Sequence, residues 1–385
     1  MTAPGPTAAE RAALLRASEL ALGGRGRVSP NPLVGAVVLR DGRVVAEGWH
    51  EGPGLPHAEV MALAAAGGRA RGATVVCTLE PCSHHGRTPP CADALVAAGV
   101  ARVVVGVADP LERGRAQGIA VLRAAGVEVV VADGEEARAC AEVNAPFLTW
   151  AATGRPLVTL KLATSLDGKI ATVAGESRWI TGPPARALVH RWRADSDAVG
   201  VGLGTALADD PALTARDVEG PVRQPARVVF DSRARLPLDS RLVRTAADTP
   251  VIVLAGPEAP AASIEALREA GVEVVPLPGD RVSRVGEALA ALGERGVQSL
   301  FVEGGAELAG SLVAAGAVDR VAWFLAPLII GGAGAPSAIG GPGEPRLERA
   351  PRLARARSER VGEDVLVTGW LRPPAEGRGG GCSRD

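Results

Sequence analysis

Thr78-Leu-Glu-Pro-Cys82-Ser-His-His-Gly-Arg-Thr-Pro-Pro-Cys91, taken together with His57-Ala58-Glu59 upstream, decides the reading of the first part of this chain. The stretch leaves a strand-like apolar run (73–79), crosses a loop rich in Pro and His, and enters a helix-like run (91–98). Structural zinc usually takes four protein ligands, whereas catalytic zinc takes three and keeps a position for water. One His and two Cys fit the open type, so His57, Cys82 and Cys91 are expected to hold one zinc per chain. Zinc lowers the pKa of water it binds from about 16 to about 7. Glu59 stands two residues past the histidine at the start of a helical run (57–66), within reach to take a proton and pass it on. His84 and His85 are alternative ligands, but their place between the cysteines suits a substrate loop better.

Outward from this stretch the pattern is α/β. An apolar helical period (8–22) precedes a strand (33–39), an Asp41-Gly42 hairpin turn and a return strand (43–47). Strands at 102–107 and 127–131 alternate with helical runs at 118–125 and 135–143, which implies a three-layer α/β domain. The pattern pauses at 149–156, read as a linker. A second series has strands at 157–162, 198–201, 227–230, 251–254, 272–275, 299–302 and 320–325, closed by one at 366–371. The expected organisation is therefore a first domain over 1–148, a second over 149–373 and a disordered Gly-rich tail over 374–385.

Composition narrows the function classes. The 385 residues are 47% hydrophobic and 22% charged with a formal net charge of −1, which gives no electrostatic reason to expect a nucleic-acid or membrane partner. No apolar run approaches the roughly 18 residues of a membrane span, and the N-terminus lacks the order of a signal peptide, so a cytoplasmic location is expected. Five cysteines, an odd count, argue against a disulfide framework. The chain holds only two lysines, Lys161 and Lys169, and two asparagines, Asn31 and Asn144, among many Ala, Gly and Arg. Positions that keep Lys or Asn are expected to need that side chain.

In the second half, Val302-Glu-Gly-Gly-Ala-Glu-Leu308 passes from strand to helix. Adjacent glycines there expose backbone N–H groups at a helix N-terminus, a phosphate seat; a tight turn at positive φ explains them equally well. The run 200–204 lacks a full dinucleotide fingerprint.

These motifs have a specific resemblance. Zinc deaminases use a His/Cys/Cys set with a non-ligand Glu, and those acting on nucleic acids and free nucleosides space the cysteines by two residues; here eight intervene. His-Ala-Glu followed by the 78–91 stretch, flanked by Asn31-Pro-Leu-Val-Gly35 and Asp109-Pro110, resembles the bacterial bifunctional deaminase–reductases of riboflavin biosynthesis. The likeness continues through Lys161-Leu-Ala-Thr-Ser-Leu-Asp-Gly-Lys169, Gly175 to Thr181, Asp209 to Thr214 and Val302 to Leu308, so it covers the chain to about Leu371. It implies a cytidine-deaminase-like domain joined to a dihydrofolate-reductase-like domain that binds NADPH. The implied substrate is a diaminopyrimidinone carrying a ribosylamine 5′-phosphate, deaminated at ring C2 and then reduced from ribosyl to ribityl. By the same resemblance Asn31, His50, Arg87, Asp109, Ser177, Arg193, Leu213, Arg216 and Glu303 would contact substrate, with the arginines as phosphate partners. Ala163, Trp179, Thr205, Asp209, Ser232, Gly304, Gly305, Ala306, Glu307, Leu308, Ala309, Gly310 and Ser311 would contact the nucleotide. A homodimer or larger assembly is implied as well. Lys161 and Asp167 are both open as the reductase proton donor.

One segment departs from the family. After Asp-Pro the family usually reads Asn-Pro-x-Val-Ala-Gly-Arg-Gly, whereas this chain has Leu111-Glu-Arg-Gly-Arg-Ala-Gln-Gly118, with Arg113 or Arg115 available to replace a lost basic contact. A tRNA or nucleoside deaminase, and a reductase whose zinc domain has lost its substrate, are the alternatives.

Overall fold

The computed structural model describes residues 4–84, 89–111, 117–220, 223–279 and 283–374. A first compact unit runs to Thr153 and a second from Gly154 to Pro373.

The first unit is a five-stranded sheet in the order β2-β1-β3-β4-β5, built from β1 Gly35–Arg40, β2 Arg43–Trp49, β3 Thr74–Leu79, β4 Arg102–Val107 and β5 Glu128–Val131. The β1–β2 hairpin turns on Asp41 and Gly42, both at positive φ, as a two-residue turn requires. β3, β4 and β5 are parallel, and β1 runs against β3. Successive residues Val75, Val76 and Cys77, like Val103, Val104 and Val105, are fully buried. Consecutive side chains point to opposite faces, so both faces are covered and the unit has the expected three layers.

The second unit is a nine-stranded sheet in the order β10-β9-β8-β7-β11-β6-β12-β14-β13. Its strands are β6 Leu157–Ser165, β7 Ala198–Gly202, β8 Ala226–Phe230, β9 Val251–Ala255, β10 Glu273–Pro276, β11 Ser299–Glu303, β12 Arg320–Ala326, β13 Ala354–Val361 and β14 Asp364–Trp370. All neighbours are parallel except at β12–β14–β13, which form an antiparallel edge. Leu300 and Val302 join one core and Phe301 the other, so the β11 side chains alternate between the two faces.

Two expectations need correction. Much of the stretch read as a linker, 149–156, is helical: Ala145–Thr153 forms a helix with Phe147 and Leu148 buried, and the chain breaks only at Gly154-Arg155-Pro156. Pro146 in the first turn suits a helix start. β13 was not foreseen because Arg357, Ser358, Glu359 and Arg360 are exposed on both faces of an edge strand, leaving no apolar alternation. The tail assignment lies outside the described residues beyond Pro374.

Asp319 ties the second unit together at one end. Its carboxylate, 4% exposed, accepts two guanidinium bonds from Arg155 at 2.7 Å each and the Val158 N–H at 2.8 Å. Its backbone oxygen accepts the N–H groups of Leu371 and Arg372. One residue thus joins the starts of β6 and β12 to the end of β14. Removing one partner of a buried pair typically costs about 3–5 kcal/mol. Asp319→Ala is expected to lower stability by about that amount in chemical denaturation of the full chain, and an unchanged transition midpoint would contradict this role.

Candidate active sites

His57 is the N-cap of the helix Ala58–Ala66, so its side chain leaves the backbone just before the helix begins. Cys91 opens the helix Cys91–Ala97, and its N–H donates to Cys82 Sγ at 3.3 Å. Nδ1 of His57 lies 3.2 Å from Cys91 Sγ and 3.5 Å from Cys82 Sγ. Tetrahedral zinc, with a nitrogen at about 2.0 Å and thiolates at about 2.3 Å, requires N···S separations of roughly 3.5 Å. The three ligand atoms, all within 4.8 Å of one another, therefore fit zinc as they stand. His84 is exposed and outside this cluster; His85 and Arg87 lie outside the described residues.

Hydrogen bonds from Cys91 and His57 and from the Cys91 backbone pull the Cys82 thiol down to about 4, whereas its thiolate and burial drive Cys91 up. Glu59, 3% exposed in the first helical turn, has its carboxyl pushed up to about 7 by burial. A group balanced near neutral pH can both accept and return a proton.

Around this centre, His50 is buried with its ring edge-on to His57 at 5.2 Å. Its Nε2 meets Asn31 Nδ2 at 3.0 Å and its Nδ1 meets the Pro56 carbonyl at 3.1 Å, and burial holds its pKa below the usual value. Asp109 Oδ1 accepts the Leu111 N–H at 2.9 Å, and burial raises its carboxyl. Leu111, which replaces the family's Asn, packs against the hydrophobic core. Asn31, His50 and Asp109 are thus each held by a hydrogen bond within the chain; Arg87, Arg113 and Arg115 lie outside the described residues.

Sequence reasoning missed Glu80. It is 4% exposed, and its carboxylate accepts the N–H of Asp109 at 3.2 Å and of Ile119 at 3.1 Å. It therefore fixes the chain between β3 and Cys82 to the far side of the 109–118 loop. Gly118 permits the contact, since a Cβ there would lie 1.9 Å from the Pro81 oxygen. Its place in Glu-Pro-Cys was the available signal, but a carboxylate in sequence does not disclose backbone acceptance.

In the second unit a cleft of about 1540 Å³ opens at the C-terminal ends of the parallel strands. Every substrate and nucleotide position assigned to this unit lines it except Ala309 and Gly310. Those two are buried; a Cβ on Gly310 would lie 2.3 Å from the Gly340 oxygen, so this helix face packs inward. Gly304 and Gly305 take positive φ and start the helix Ala306–Ala314, and a Cβ on Gly305 would meet Thr205 Oγ1 at 2.9 Å. Arg193 clasps Glu303, with Nη2 to Oε2 at 2.9 Å, and Nη1 reaches the Thr214 carbonyl. Arg193 is thus already neutralised, whereas the exposed Arg216 guanidinium has no partner among the described residues. Trp179 is 68% exposed under the Arg186 guanidinium, 4.5 Å from the ring centre, and Asp209 receives Arg178. Asp167 accepts the Ile330 and Gly331 N–H groups, which with Ser165 hold its carboxyl at about 2. Lys161 stands opposite Glu303 across β6 and β11, and burial holds its ammonium pKa below the usual value.

Comparisons with known proteins cover both units. The cytidine and deoxycytidylate deaminase zinc-binding region matches residues 9–107, and the RibD C-terminal domain matches residues 156–367. Riboflavin biosynthesis protein RibD of Bacillus amyloliquefaciens is 40% identical over 365 residues, 94% of this chain and 96% of that one. The Escherichia coli K12 protein of the same name is 40% identical over 369 residues, 92% and 97%. Among solved structures, Acinetobacter baumannii RibD aligns with a TM-score of 0.83 at 36% identity, over 94% of this chain and 98% of that one. A deaminase/reductase from Thermotoga maritima gives 0.80 at 36% identity, over 95% and 99%. With both modules matched in order at this identity, the chain belongs to the RibD family of riboflavin biosynthesis, zinc-dependent deaminases joined to NADPH-dependent reductases.

Proposed function

We propose that the two activities divide between the two sites, with the boundary in the segment 149–156. The first removes the ring C2 amine of 2,5-diamino-6-ribosylamino-4(3H)-pyrimidinone 5′-phosphate. The second reduces the ribosyl group of the product to ribityl, giving 5-amino-6-ribitylamino-uracil 5′-phosphate. The deaminated name fits the Thermotoga maritima relative, a diaminohydroxyphosphoribosylaminopyrimidine deaminase and 5-amino-6-(5-phosphoribosylamino)uracil reductase. The carrying observation is the buried Glu59 beside three ligand atoms within 4.8 Å of one another.

In the first site, His57, Cys82 and Cys91 hold zinc, which when bound supplies Lewis-acid activation of water. Glu59 takes the proton from water and delivers it to the departing amine, so water and the C2 amine become a carbonyl and ammonia. Asn31, His50 and Asp109 orient the ring, with Arg87 on the phosphate. In the second site NADPH, when bound, supplies the hydride. The Gly304-Gly305 turn and Thr205 seat its phosphates, Ser177 and Leu213 wall the substrate, and Arg216 takes the substrate phosphate. Arg193 positions Glu303 through their paired charges. Among the described residues no helix is long and apolar enough to cross a membrane. The reading includes a cytoplasmic homo-oligomer, which sedimentation of a monomer at working concentration would contradict.

Glu59→Gln is expected to lower ammonia release by about 10²–10⁴-fold while zinc stays near one per chain; full activity in this variant would overturn the proton role. Stripping zinc with a chelator is expected to abolish ammonia release yet leave NADPH oxidation on the deaminated substrate, followed by absorbance. Arg216→Ala is expected to raise the reductase KM by roughly 10–100-fold, the loss of a charge-assisted phosphate contact, with a smaller change in kcat. An unaltered KM would move the phosphate elsewhere.

A further inference from the structure

His190 lies on the helix Pro183–Asp195, one turn before Arg193, and lines the second cleft. Residues three apart share a helix face, and both side chains reach the segment 213–217, between the helix Leu203–Asp209 and β8. That segment belongs to no helix or strand, and Leu213 and Asp217 take positive φ. With no ladder to pair with, its backbone groups are met by side chains. Gln224 exchanges two hydrogen bonds with Ala215, at 2.9 Å each. The Thr214 carbonyl accepts Arg193 Nη1 at 3.0 Å. His190 Nδ1 stands 3.2 Å from the same carbonyl oxygen and 3.3 Å from the Arg216 backbone nitrogen.

Burial, together with the charges of Arg193 and Arg216, keeps the His190 ring below the usual histidine pKa and so neutral at neutral pH. A neutral imidazole has one ring proton to place. With Nδ1 bare it accepts the Arg216 N–H, and with Nδ1 protonated it donates to the Thr214 carbonyl. Either tautomer ties the segment to the helix through the same atom. The helix is itself anchored to the sheet, since Arg193 clasps Glu303 on β11. Arg216 lacks such an anchor for its side chain: its exposed guanidinium has no partner among the described residues, so only its backbone can aim it. Among those residues the Arg216 N–H has no acceptor but His190. We infer that His190 is a positioning residue of the reductase, which aims Arg216 at the substrate phosphate through Nδ1 and governs how tightly substrate is captured rather than how fast hydride moves. This rests on the reading of Arg216 as the phosphate contact.

The test is steady-state NADPH oxidation on the deaminated substrate by the full chain carrying His190→Asn, His190→Gln or His190→Leu, each with and without Arg216→Ala. An unchanged KM for NADPH marks an intact cleft. His190→Leu and His190→Gln are expected to raise the substrate KM by roughly 5–30-fold, the loss of one hydrogen bond behind a charged contact, with kcat held within about twofold. His190→Asn sets an amide where Nδ1 was and is expected to restore the wild-type KM. On the Arg216→Ala background His190→Leu is expected to add less than about twofold, because a residue that acts only through Arg216 has nothing left to aim. Equal factors on both backgrounds overturn the assignment while the phosphate reading of Arg216 stands. Rescue by Gln and not by Asn overturns it too, since that pattern puts Nε2 on the substrate. An Arg216→Ala KM equal to that of wild type overturns the phosphate reading itself.

Discussion

The central parallel strands of both sheets are covered on their two faces, and runs such as Val75 to Cys77 and Val103 to Val105 have no room for a polar side chain. Chemistry is confined to the strand ends, where the ladder stops and backbone N–H groups lose their partners. The chain answers with buried carboxylates. Glu80 takes the N–H groups of Asp109 and Ile119, Asp231 those of the loop after β8, and Asp319 that of Val158. Asp197, at the strand starts like Asp319, does the same for Gln298 and Ser299. Each replaces missing ladder bonds and so fixes an irregular segment that a functional loop can then use. An anionic acceptor is stronger than a neutral one, which suits positions where water is absent.

The metal site was legible because its chemistry is narrow. Few patterns other than zinc require His57, Cys82 and Cys91 beside a non-ligand Glu59, and three of these stand at or just before helix starts that periodicity could find. Most strands were legible for the same reason that they form: parallel, doubly covered strands are continuous apolar runs. β13 was not, because an edge strand facing solvent carries arginine where a buried strand carries valine. Nor were Glu80 and Asp231, since a carboxylate that caps backbone looks in sequence like one on the surface. Arg193 and Glu303 were both read as substrate contacts, and sequence could not disclose that they pair with each other.

The scarcity of Lys and Asn proved informative in part. Lys169 Nζ donates to the Ala335 carbonyl and so joins two loops beside the cleft, and Asn31 supports His50. Asn144, 1% exposed between two helices, has neither amide atom hydrogen-bonded, and nothing in the structure explains its retention.

The contact between His50 and Pro56 has a directional consequence. A peptide oxygen can only accept, so Nδ1 of His50 must carry the proton, and burial keeps the ring neutral with Nε2 bare. Nε2 can then only accept, which fixes the Asn31 amide with its NH₂ toward the ring and its oxygen turned away. One main-chain carbonyl thereby sets the polarity of a two-residue wire, and the outer end of that wire offers lone pairs to whatever lies beyond it.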